Sequence, residues 1–140
     1  MKFKPLHANF QMPIRSTEHS AGYDIFMPEA GSLSPYKDPV KIPLGFSAAI
    51  PQGIVGIIVP RSGKGINHGL ALNNTVGIID ADYRGEWVAS LKVSNKVLVW
   101  EAGDRLLQFI LLAYSSFEFS IVDELPETVR GSGGFGSTGN

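Results

Sequence analysis

The sequence contains no cysteine, which excludes disulfide staples, thiolate metal sites and cysteine nucleophiles together. It also lacks an excess of either charge: 12 Lys and Arg stand against 13 Asp and Glu, a net charge of -1. The chain as a whole therefore has no pull toward a nucleic-acid backbone, and any phosphate must be met at one local site. No apolar run approaches the ~20 residues of a membrane span. The first residues, Met1 to His7, lack the apolar stretch of a signal peptide. These absences lead us to expect a cytoplasmic protein with neither nucleic acid nor membrane as partner. Histidine is sparse too, and His7, His19 and His68 share no ligand spacing that would suggest zinc.

What the chain does have is punctuation. Its 140 residues suit one domain, and 16 glycines and 9 prolines favour many turns over long helices. Short apolar runs rich in β-branched and aromatic residues lie between these breakers, at Phe46–Ile50, Gly53–Pro60, Trp87–Val93 and Val97–Trp100. In the third, Val88, Ser90 and Lys92 alternate with Ala89, Leu91 and Val93, a period of two that predicts a half-buried strand. Leu106 to Leu112 is apolar except for Gln108, which predicts a strand covered on both faces. The only plausible helix start is Ser62, as cap of a short segment to His68 weakened by two glycines. The expectation is an all-β sandwich or jelly roll with at most one short helix. The glycine-rich end, from Arg130 on, is expected to be mobile in the free protein.

Five segments each allow a bland and a chemical reading. The end, Arg130-Gly131-Ser132-Gly133-Gly134-Phe135-Gly136-Ser137-Thr138-Gly139, is either a solvated terminus or a lid that orders on a ligand. In the second reading Arg130 forks phosphate oxygens, glycine backbone approaches them closely, and Phe135 covers a planar base. Pro60-Arg61-Ser62-Gly63-Lys64-Gly65 is a surface turn or an anion-binding one, without the spacing of a Walker loop. Asn73 to Trp87 places Asp80, Ala81 and Asp82 between two strand-like runs, which predicts a hairpin. Its acids are either solvated turn residues or include a base, with Tyr83 a flat wall for a sugar. Ala21-Gly22-Tyr23-Asp24-Ile25-Phe26 sets one acid in an apolar strand, where it needs partners or a cation. Gly103-Asp104-Arg105-Leu106-Leu107-Gln108-Phe109 sets one amide in another, and Asp104 and Arg105 there also fit a simple turn.

In order and spacing, these five segments resemble the five motifs of the trimeric dUTPase family, over nearly the whole chain from Ala21 to Gly139. The stretches Gly77–Gly85 and Arg130–Gly139 are the most specific. The resemblance implies a jelly-roll-like β-barrel subunit over 1–128 and a flexible arm over 129–140 that closes over a neighbour's site in a homotrimer. It implies hydrolysis of dUTP to dUMP and pyrophosphate, which keeps uracil out of DNA and supplies dUMP for dTMP synthesis. By position, Asp80 would activate the water that attacks the α-phosphate. Tyr83 would pack on the deoxyribose and refuse a ribose. Asn74 and the backbone from Gly77 through Ile79 would read uracil, leaving unpaired groups against cytosine. Arg61, Ser62, Gly63 and Gln108 would meet the phosphates, joined by Arg130, Gly136, Ser137 and Thr138 of the arm, while Phe135 would stack on the base. Magnesium would ride mainly on the triphosphate oxygens and waters, with Asp24 touching it through one water.

Two positions depart from the family's usual pattern. Lys64 stands where an apolar residue is common, either adding a cation near the phosphates or pointing to solvent. Tyr23 replaces a common Leu or Met, a volume change a strand should tolerate. The related dCTP deaminases need a glutamate just beyond the third motif, and Trp87–Val93 offers no acid. A nucleotide-dependent binding or regulatory protein on this scaffold is the other alternative, with a partner surface around Ser32 to Pro39.

Overall fold

The computed structural model describes residues 1–134. It contains ten strands and one helix among those residues: β1 (Lys2–Pro5), β2 (Tyr23–Phe26), β3 (Gly31–Leu33), β4 (Val40–Ala49), β5 (Ile54–Pro60), α1 (Ser62–His68), β6 (Ala71–Leu72), β7 (Gly77–Ile79), β8 (Glu86–Lys92), β9 (Leu98–Trp100) and β10 (Arg105–Ala113). One four-stranded sheet has the order β1-β4-β8-β6 and a second the order β2-β10-β5-β7, while β3 and β9 form a two-stranded ribbon. Every pairing is antiparallel. This is the expected all-β subunit with one short helix, built as separate sheets that do not close into a barrel. No helix of the described residues is long and apolar enough to cross a membrane.

Aromatic rings join the two large sheets. Phe46 of β4 lies 5.1 Å from Trp87 of β8, whose ring meets Phe109 of β10 edge-on at 5.2 Å. Phe109 in turn stacks on Tyr23 of β2 at 5.2 Å and 16°. Phe46, Trp87 and Phe109 are all buried, so this chain of rings spans the core and ends one residue before Asp24. Tyr23 is thus more than a tolerated bulk: it is the last ring of the stack, with the Arg15 guanidinium 5.8 Å from its centre.

The alternation in β8 is seen as expected: Trp87, Ala89 and Leu91 are buried while Val88 and Lys92 face outward. In β10 the expectation of two covered faces holds only for its first half. Leu106, Leu107 and Phe109 are buried, but Leu112 is exposed. The flanking β2 ends its register at Tyr23 opposite Phe109, so beyond that point only β5 borders the strand.

Two local expectations need correction. Ser62 is the first residue of α1 and does not cap it; Arg61 holds the capping position in extended conformation, and no side chain caps the helix. The helix buries no residue and stops at Gly69, whose left-handed conformation (φ 65°) closes its last turn. The segment around Asp80 is not a hairpin, because β7 pairs with β5 while β8 pairs with β4 and β6. Asp80, Ala81 and Asp82 therefore lie in a crossover from one sheet to the other. Regular structure ends at Ala113, and 114–134 carry neither helix nor strand. Phe119, Ile121 and Val129 are fully exposed there.

The alternation in β8 can be tested at fixed protein concentration by denaturant unfolding. Leu91→Ala should cost about 2–5 kcal/mol, and Lys92→Ala should stay within about 0.5 kcal/mol. Equal costs would mean the strand's faces are misassigned.

Candidate functional site

The clearest polar structure in the chain is built by strand register. Asp24 of β2 lies opposite Gln108 of β10, which lies opposite Val59 of β5. Cross-strand partners share a face, so the acid and the amide sit side by side. Asp24 is 4% exposed, and a carboxylate so buried requires compensation. It receives three partners: Arg61 Nε at 2.9 Å on Oδ1, and Arg105 Nη1 at 3.1 Å and the Ser16 hydroxyl at 2.9 Å on Oδ2. Two guanidiniums, one just after β5 and one at the start of β10, are thereby fixed on one buried charge. Arg105, read from sequence as compatible with a simple turn, is half of this clamp, whereas Asp104 does serve the turn by accepting the Glu101 N–H at 3.0 Å.

Three of the roughly four acceptor positions of the Asp24 carboxylate are filled. This suits one contact through water, as expected of Asp24, and does not suit direct metal coordination. Among the described residues no group of three His, Asp or Glu could hold a metal ion.

Two glycines show what their motifs exclude. A Cβ on Gly22 would stand 2.2 Å from Gln108 Oε1, so Gly22 makes room for the amide, which donates from Nε2 to the Pro60 carbonyl at 3.4 Å. A Cβ on Gly85 would stand 2.3 Å from the Tyr83 hydroxyl. The Tyr83 ring folds back over that space and donates its O–H to the Glu86 carbonyl at 3.0 Å. Gly63 differs: a Cβ there would meet nothing within 4 Å, so packing within the chain gives no reason for glycine.

The remaining expected residues separate into distinct places. Arg61, Ser62, Gly63 and Lys64 line a hollow of about 250 Å3 with Asn67 and His68. Arg61 and Lys64 also line a second, of about 500 Å3, with Arg105, Asp104, Gly103, Phe26 and Ile14. Asp80 opens onto a third, of about 570 Å3, beside Gln52, Asp82, Arg84 and Tyr114. Asn74, Gly77 and Ile79 border a fourth, of about 370 Å3, where the Asn74 amide donates to the Val76 carbonyl at 2.9 Å. No residue lining the Asp80 or Asn74 hollows lines either Arg61 hollow. A largely apolar hollow under Leu6, Pro28, Ile42 and Trp100 contains none of the expected residues. Arg130 is exposed and folded into its own turn, with Nε on the Gly133 carbonyl at 2.9 Å. Phe135, Gly136, Ser137 and Thr138 lie outside the described residues. Gly22, Gly85, Arg105 and Ser16 had no role assigned from sequence; the only signal was their place inside or beside the motifs.

Known proteins resemble the chain throughout. The dUTPase family profile matches residues 8–139. The chain is 41% identical over 143 aligned positions to the deoxyuridine 5'-triphosphate nucleotidohydrolase of Finegoldia magna, covering 99% of each. It is 40% identical over 143 positions to the enzyme of the same name from Rickettsia prowazekii, covering 99% of this chain and 96% of the relative. In structure it matches the Staphylococcus bacteriophage 80alpha dUTPase solved with dUPNHPP, with a TM-score of 0.88 and 27% identity, over 99% of this chain and 98% of that one.

Replacing the central acid tests the clamp. Asp24→Asn leaves Arg61 and Arg105 facing each other without their counter-charge and should cost about 2–3 kcal/mol, less than a fully buried pair because both guanidiniums reach solvent. Unchanged unfolding in urea would show that the clamp does not support the fold.

Proposed function

The chain belongs to the dUTPase family, and from that premise we propose how it hydrolyses dUTP to dUMP and pyrophosphate. Asp80 holds a water and takes its proton as the water oxygen attacks the α-phosphorus. The bond from the α-phosphorus to the bridging oxygen breaks, and pyrophosphate leaves. The observation that carries this reading is the third segment: an exposed Asp80 that opens onto a hollow, followed three residues on by Tyr83, whose backbone N–H donates to the Asp80 carbonyl at 3.2 Å and whose hydroxyl donates to the Glu86 carbonyl. An aromatic ring held at that place by its hydroxyl supports rejection of a 2'-hydroxyl by shape.

The phosphate end is supplied by Ser62, Gly63 and Gln108, with Arg61 and Arg105 held by Asp24. Positioned donors and cations of this kind stabilise charge that develops on a transferring phosphoryl group. Magnesium bound on the triphosphate oxygens would add charge neutralisation, and Asp24 would meet its hydration shell through its one remaining acceptor position. Uracil recognition is assigned to Asn74 and the backbone from Gly77 through Ile79, with Phe135 of the arm as the stacking cover.

The site is shared among three copies of the chain. Two observations support this: the Asp80 and Asn74 hollows share no residue with the Arg61 hollows, and the segment after Ala113 exposes large apolar side chains. We place the arm's Arg130, Gly136, Ser137 and Thr138 on the β- and γ-phosphates of a neighbour's substrate. The reaction has its substrate in the cytoplasmic nucleotide pool, which is where we place the protein.

Pyrophosphate release from dUTP, with dCTP, dTTP and UTP in parallel and with or without magnesium, tests the activity; comparable release from UTP would remove the role given to Tyr83. Asp80→Asn should bind dUTP but lose turnover by about 100-fold or more, and normal turnover would remove Asp80 as base. Mixing equal amounts of Asp80→Asn chains with chains ending at Thr128, then reassembling, should recover about a quarter of wild-type activity, since acid and arm come from different copies. No recovery would place both on one copy.

A further inference from the structure

Lys64 is the position where this chain departs from the usual apolar residue, and its surroundings are those of a ligand contact. It is half-buried, unlike the exposed Ser62 and Gly63 before it. It lines both hollows that flank Arg61. In the larger one three cations, Arg61, Lys64 and Arg105, face two carboxylates, Asp104 on the rim and Asp24 behind it. Those carboxylates are committed elsewhere. Asp24 takes both guanidiniums, and Asp104 accepts the Glu101 N–H. Among the described residues no carboxylate lies within 4.0 Å of the Lys64 ammonium. A half-buried lysine that shares its hollows with guanidiniums and forms no ion pair among the described residues favours an arriving anion.

We infer that Lys64 is a further substrate-binding residue of this chain, whose ammonium takes the terminal phosphates of the nucleotide and therefore also the pyrophosphate product. This rests on the phosphate site assigned above and extends it. The class of ligand follows from the donor set: a compact, strongly hydrated ammonium acts as a point charge and suits a polyphosphate with several oxygens to share. The end of the ligand follows from position, because Lys64 borders none of the hollows of Asn74, Gly77, Ile79 or Asp80. Lys64 shares its hollow with Arg61, Ser62 and Gly63 and is therefore placed on the phosphates and not on the base.

The test uses the full chain with Lys64 changed to Met, to Gln and to Arg. α1 buries no residue, so the Met and Gln variants should melt within a few degrees of the wild type, and either suffices if the other misfolds. Inorganic pyrophosphate, titrated calorimetrically without added metal, should bind about 3- to 10-fold more weakly to Lys64→Met and Lys64→Gln and nearly normally to Lys64→Arg. The affinity for dUMP should not change. KM for dUTP should rise by a similar factor, by more than kcat falls, and its salt dependence should weaken. Pyrophosphate affinity equal to wild type in the Met or Gln variant would overturn the inference. Failure of the wild type to turn over dUTP would instead overturn the functional reading, and the pyrophosphate titration would still read Lys64 by itself.

Discussion

One buried carboxylate organises the phosphate end of this molecule. Asp24 cannot stay charged inside a sheet without partners, and its partners, Arg61 and Arg105, come from the end of β5 and the start of β10, two adjacent strands of the same sheet. The demand for charge compensation fixes where β5 hands over to α1 and where β10 begins. It also fixes the directions of two guanidiniums that would otherwise repel each other. Ser62, Gly63 and Lys64 follow directly from Arg61, so the anion-binding turn inherits its position from the clamp. At the other end of the chain of rings, Tyr23 ties the same strand to the core through Phe109 and Trp87.

Much of this was legible in the sequence, and what was not has a common cause. The alternation of β8 could be read because one face meets the core and the other does not, a contrast that survives in a one-dimensional pattern. The crossover at Asp80 could not, since two adjacent strand-like runs with a turn between them look the same whether they pair together or join different sheets. The choice of β5 as the partner of β7 is made by residues about 20 positions away in sequence, beyond the reach of turn chemistry. The half-exposed end of β10 has the same origin, for it depends on where β2 stops. Asp24 and Gln108, readable as a lone acid and a lone amide in apolar runs, do lie side by side across β2 and β10, while the parts given to Tyr83 and Arg130 rest on their motifs. The tasks of Gly22 and Gly85 were hidden because each is defined by one distant or folded-back side chain, Gln108 in one case and Tyr83 in the other.

The Arg61 hollows share no residue with the Asp80 and Asn74 hollows, so charge and shape are built in separate regions of the chain. Around Asp24 the chain carries charge, held rigidly by ion pairs. Around Tyr83 it carries shape, held by a hydrogen bond and by the absence of a side chain at Gly85. Preorganisation of each part before ligand arrives reduces the ordering that binding must impose.

The segment after Ala113 bears on the life of the protein before it works. A newly made, solitary subunit displays Phe119, Ile121 and Val129 on an extended strap with no strand partner. Such a strap is the kind of substrate that proteases and chaperones grip first. Burial of those side chains against another surface would shield the strap from both.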